Sequence, residues 1–157
     1  MGFSFADPSL LVFVKLFIAA VLGMLIGIER TVAHKNAGMR TYALVTLGAC
    51  LFVSLGEILN TFYISLPGFN PVLIAANVVI GIGFIGTGIA MTHRDGLGAG
   101  ITTIAGIWVS AGIGVAVGLG LYEIAIFATF LVLFIFTVLW RLEHHYIEHD
   151  AGTHRKK

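Results

Sequence analysis

Five apolar stretches, at about 9–28, 42–59, 72–92, 101–118 and 121–140, take up about a hundred of the 157 residues and are joined by four short polar links. Each is close to the roughly 20 residues a helix needs to cross the hydrocarbon of a bilayer. The solvent is therefore fixed before any motif is read. Lys15 is the only charge inside the first stretch, the third and fourth carry none, and Glu57 and Glu123 lie near stretch ends. A soluble domain this small would show helices with charged outer faces. Here 58% of residues are hydrophobic, 11% are charged and the mean hydropathy is +0.99. The expected fold is an all-α membrane protein, a bundle of five transmembrane helices.

Residues 1–140 form one transmembrane domain on this reading, and 141–157 are a short tail, too short for a soluble core of its own. A net charge of +1 lacks the basic face that nucleic-acid binding requires. The single cysteine, Cys50, excludes an internal disulfide framework and a Cys-rich zinc site. Residues 1–10 carry only Asp7, so the first stretch lacks a signal peptide's basic start and is expected to stay as a helix. Lys and Arg in short loops mark the cytoplasmic side. Arg30, Lys35 and Arg40 lie in the first link, none in 60–71, Arg94 in the third link, none near 118–120, and Arg141, Arg155, Lys156 and Lys157 in the tail. The alternation puts the N-terminus outside and the C-terminus in the cytoplasm.

Lipid tails supply no hydrophobic drive between helices, so packing must come from small residues and polar contacts. Ala19, Gly23 and Gly27 recur at four-residue spacing in span one, as do Thr46, Cys50 and Ser54 in span two. Thr102, Gly106, Ser110, Gly114 and Gly118 run the length of span four. Such spacing gathers them on one helical face. Span five offers Phe127, Phe130, Phe134 and Phe136 and reads as a lipid-facing helix, leaving spans one, three and four as the expected inner set. Lys15 either snorkels outward along its stem or pairs with Glu57 or Glu123 inside the membrane.

Span three holds Gly81, Gly83, Gly86 and Gly88 within eight residues. The first three fit a GxGxxG spacing, but a dinucleotide site needs a soluble strand before it and an acid about 20 residues on, and residues 104–107 supply none. Two readings stand: a packing face, or a weakened and broken helix whose freed backbone groups form an ion site.

Three segments together carry a resemblance. Gly23, Gly27, Glu29 and Arg30 are followed by Ala37, Gly38, Arg40 and Thr41. The glycine string of span three comes next, then Gly100, Thr102, Thr103, Gly106 and Trp108, with Ala111 and Gly114. In order and spacing this resembles the membrane domain of the MgtC/SapB family over about residues 10–140. The resemblance implies a bacterial inner-membrane protein tied to magnesium homeostasis and growth at low magnesium. It also implies a link to virulence and to restraint of the rotary ATP synthase, and leaves open whether such proteins move magnesium themselves. Many relatives append a soluble domain after the last span, so this chain reads as a short form. Relatives also place an arginine before the glycine matching Gly100, where this chain has Ala99; Arg94 is the candidate to serve instead.

For the matched residues the physical roles are these. Glu29, Arg30, Arg40 and Thr41, with Gly38 as turn or cap, form either an ion-pair clamp on the first link or a docking or ion-sensing surface with Arg94 and Asp95. Thr102 and Thr103 cap span four or bind a cation. Trp108 is a packing residue or a substrate platform. In the tail, His145 and His149 lie four apart near His144 and His154, a spacing that suits a transition metal but not magnesium; no cofactor or metal is assigned. No catalytic constellation lies in the spans, so an enzyme is not expected. The leading function is regulation through a membrane-protein partner in the bilayer; the alternative is a magnesium or other ion channel or transporter built as a homo-oligomer.

Overall fold

Backbone groups in hydrocarbon have no water to bond and must satisfy one another, which leaves a long apolar segment the helix as its structure. The computed structural model describes residues 8–62, 71–92 and 97–142. Five helices follow in order: α1 Pro8–Val32, α2 Met39–Phe62, α3 Pro71–Thr92, α4 Leu97–Gly118 and α5 Tyr122–Phe134. A π-helical turn, Ile135–Leu139, prolongs α5, and helix continues to residue 142. All five are long and apolar enough to cross a membrane. The α3 helix is continuous through its glycine string, so the broken-helix expectation is not met.

Two helix ends share one stop. After α4, the Gly120 N–H bonds the Val117 carbonyl at 2.9 Å and the Leu121 N–H the Ala116 carbonyl at 2.8 Å, with Gly120 at φ 76. This is a Schellman closure, and glycine adopts that left-handed conformation without strain. After α1 the same bonds run from His34 to Thr31 (3.1 Å) and from Lys35 to Arg30 (2.9 Å), but the left-handed residue is His34, at φ 53.

Helix α4 packs against all four others, and α2 lies between α1 and α4. Half of the α4 span is buried within the protein, against 39% for α2, 28% for α1, 22% for α5 and 11% for α3. The inner set is therefore α1, α2 and α4; α3, expected inside, is the most peripheral helix. The reason lies in where the small residues point. A Cβ added at Gly23 would collide with Thr46 and sit 2.6 Å from the Tyr42 carbonyl; at Gly114 it would meet the Thr46 backbone and lie 2.8 Å from Ala49; at Gly118, 2.8 Å from Val53. The stripes of α1 and α4 thus close on the Thr46–Cys50–Ser54 face of α2. By contrast Gly81, Gly83 and Gly88 have nothing within 4 Å of such a Cβ, and only Gly86 packs inward, against Ile104.

Candidate functional site

The interior of the bundle ends in two polar knots. At the end where α1 turns into α2, Arg30 is 3% exposed. Its Nη2 donates to Glu29 Oε1 at 2.8 Å and its Nε to Glu29 Oε2, so the guanidinium holds its neighbour's carboxylate with two bonds. One flat face of the group lies over the Phe136 ring, 3.7 Å from its centroid. Phe136 comes from the π-helical turn after α5. Tyr42, fully buried, donates its hydroxyl to the Thr103 carbonyl at 3.3 Å. Gly106 gives both rings room, since a Cβ there would lie 2.5 Å from the Tyr42 Oη and 2.6 Å from Phe136 Cζ. Four helices meet at this one point.

The link beside it is tied by Thr31 rather than by charge. Its hydroxyl donates to the Gly27 carbonyl (2.9 Å) and accepts the Met39 N–H (3.0 Å), joining the last turn of α1 to the first of α2. Gly38 stands at the N-cap of α2, its carbonyl accepting the Tyr42 N–H at 3.2 Å, and a Cβ there would press to 2.6 Å from Thr31 Oγ1. Glu29 and Arg30 pair, but within α1. Arg40 is exposed and Thr41 half-buried, so neither completes the expected clamp.

At the other end, Lys15 donates to Glu57 Oε2 at 2.6 Å and to the Gly118 carbonyl at 2.8 Å. Of the two readings for Lys15, the ion pair with Glu57 is the one found. One ammonium ties α1, α2 and α4 together, and it sits where the C-terminal carbonyls of α4 favour a cation. Its side chain is 12% exposed and that of Glu57 56%.

Between the knots lie buried hydroxyls and a thiol. Thr46 donates to the Tyr42 carbonyl (2.8 Å), Cys50 Sγ approaches Ser54 Oγ (3.9 Å), and the Ser110 hydroxyl has no partner among the described residues.

Several expectations are corrected by this geometry. Helix α4 begins at Leu97, so Thr102 and Thr103 do not cap it; Thr103 is buried and Thr102 exposed. The buried face of α4 runs through Thr103, Gly106, Ser110 and Gly114, which puts Trp108 on the opposite side. It is 53% exposed there, beside one groove between α3 and α4 and another walled mainly by α4 and α5, and is no interior packing residue. Phe127, Phe130 and Phe134 are exposed as expected, but Phe136 is buried. Residues 134 and 136 lie on opposite sides of a helix, a difference that the phenylalanine count hides. Tyr42, Thr31 and Phe136 went unselected, although Tyr42 precedes Thr46 by four residues and extends the α2 stripe. Arg94, Asp95 and the tail histidines His144, His145, His149 and His154 lie outside the described residues.

The profile of the MgtC family matches residues 16–145. The chain belongs to the MgtC family. YhiD of Escherichia coli K12, whose name assigns it provisionally to magnesium transport, is 37% identical over 131 residues, 82% of this chain and 60% of that protein. SapB of Bacillus subtilis is 34% identical over 106 residues, 64% of this chain and 44% of SapB. MgtC of Brucella abortus is 42% identical over 71 residues, 45% of this chain and 27% of that protein. The chain thus spans 60% or less of the length of these MgtC-family relatives. No solved structure matches it. The MgtC match takes in Glu29, Arg30, Tyr42, Glu57, Gly106, Gly118 and Phe136 and begins one residue after Lys15.

Proposed function

We propose that this MgtC-family protein is a multi-pass protein of the bacterial inner membrane, N-terminus outside and residues 141–157 in the cytoplasm, that serves magnesium homeostasis. On this reading it is a non-enzymatic regulator that works by binding a membrane-protein partner. The observation that carries it is the division of the glycines. Gly23 and Gly27 of α1 and Gly106, Gly114 and Gly118 of α4 are consumed inside the bundle, whereas Gly81, Gly83 and Gly88 of α3 face outward, where another helix can approach closely. The Glu29–Arg30 knot and exposed Arg40 form the cytoplasmic side, with Arg94 proposed to join them. The rotary ATP synthase, implied by family resemblance, is the first partner to test. Affinity capture of the tagged full chain from native membranes of magnesium-limited cells is expected to recover a stable partner. Recovery of none would count against regulation by binding.

Transport is the second reading, favoured by the interior row of Tyr42, Thr46, Ser110, Cys50 and Ser54 between two ion pairs. Magnesium flux into liposomes holding only the purified protein would establish it. Flux equal to that of empty liposomes would remove it.

A further inference from the structure

We propose that α3 carries the seam of a parallel homodimer, with a second copy of this chain lying along Asn77, Gly81, Phe84 and Gly88. The inference goes beyond the regulatory reading: the seam takes Gly81 and Gly88 and leaves Gly83, on another side of α3, open to a partner helix.

The spacing comes first. Residues 77, 81, 84 and 88 step by four, three and four, the heptad rhythm that keeps one face of a helix against a partner in a left-handed pair. All four are exposed, and Phe84, at 79%, is the most exposed large apolar side chain among the described residues. Gly81 and Gly88 stand one heptad apart, each open to 4 Å or more around a built Cβ.

The chemistry of Asn77 is the independent observation. It lies inside the apolar span that begins at Val72, about 8 Å along the axis at 1.5 Å per residue. Among the described residues its amide has no hydrogen-bond partner. A carboxamide in hydrocarbon is stabilised by a polar group on another helix. An acyl chain offers none at that depth.

Self-complementarity selects a second copy as the occupant. All copies insert in one orientation, so two α3 helices related by a two-fold axis along the membrane normal bring each seam residue beside its twin. An asparagine amide both donates and accepts and can exchange bonds with its twin. Glycine opposite glycine lets the backbones close, and Phe84 fills the hole that the partner's glycines border. A lateral groove of about 550 Å³ between α2 and α3, walled in part by Leu44, Gly48 and Phe52, lies alongside and leaves space for the approaching helix.

The test uses the full chain in native membranes. In a Cys50→Ala background, single cysteines at Gly81, Phe84 and Gly88 are expected to give disulfide-linked dimers on oxidation. Cysteines at the exposed off-seam positions Phe17 and Phe130 are expected to give none. Energy transfer between labelled full-length copies in bilayers, with Cys50 retained, gives a second readout that does not depend on the Cys50 substitution. There Asn77→Leu is expected to weaken association about threefold to thirtyfold, and Gly81→Ile at least as much, with the melting midpoint of the monomer unchanged. Linking as strong at Phe17 or Phe130 as on the seam, no linking at any position, or association indifferent to Asn77→Leu would each overturn the proposal.

Discussion

The Ser110 hydroxyl is fully buried and has no partner among the described residues. An unsatisfied buried hydroxyl costs roughly 1–3 kcal/mol of desolvation, and alanine fills nearly the same space. Ser110→Ala is expected to raise stability by about 1 kcal/mol, read as a higher melting midpoint of the detergent-solubilised protein; a fall would mean that the hydroxyl is in use. The Lys15–Glu57 pair gives an asymmetric expectation. Glu57→Gln strands an ammonium that is mostly shielded from water, whereas Lys15→Met leaves an exposed carboxylate that water can solvate. The glutamine variant is therefore expected to lose more stability, with a double-mutant coupling of about 1 kcal/mol, modest because one partner is exposed. A negligible loss from Glu57→Gln would argue that Gly118 alone anchors Lys15.

At the scale of the helix, the two Schellman closures differ in one residue. Gly120 takes the left-handed conformation freely; His34 takes it against the clash of its Cβ, which costs roughly 1–2 kcal/mol. His34→Gly is expected to stabilise the end of α1 by about 1 kcal/mol, the entropy of the unfolded glycine offsetting the remainder. Thermal unfolding measures it, and no gain would mean that the imidazole has a compensating role. Helix existence and extent were legible in sequence because hydrocarbon permits one backbone solution for an apolar run of this length. The faces of α1, α2 and α4 were legible too, since small residues four apart have only one side of a helix to occupy. The role of α3 was not. Its glycines satisfy the same pattern, and spacing alone does not say whether a small-residue face meets the same chain or looks away. Phe136 is hidden among four phenylalanines that read as one lipid face, although it continues the buried row of Ala125, Thr129 and Val132 at helical spacing.

The whole molecule is a three-helix interior of α1, α2 and α4 knotted at both ends, with α5 and the more peripheral α3 packed on its outside. The knots were half legible: Glu29, Arg30 and Glu57 stood out as charges near span ends and Lys15 as the one charge inside the first span. The Phe136, Tyr42, Gly106 and Gly118 that complete the knots come from helices that only the fold brings near. Phe136 and Gly106 reach Arg30 and Tyr42 across more than sixty residues of chain. The account rests on glycines doing opposite things in different helices. The most direct measurement is a glycine-to-leucine scan of the folded monomer, by thermal melting in a detergent that separates copies. Leucine at Gly23, Gly27, Gly106, Gly114 or Gly118 drives into backbone or side chains of a neighbouring helix and is expected to abolish the folded state. Leucine at Gly81, Gly83 or Gly88 meets open space and is expected to leave stability within about 1 kcal/mol. Loss of the folded monomer from the α3 substitutions, with tolerance in α1 and α4, would contradict the account.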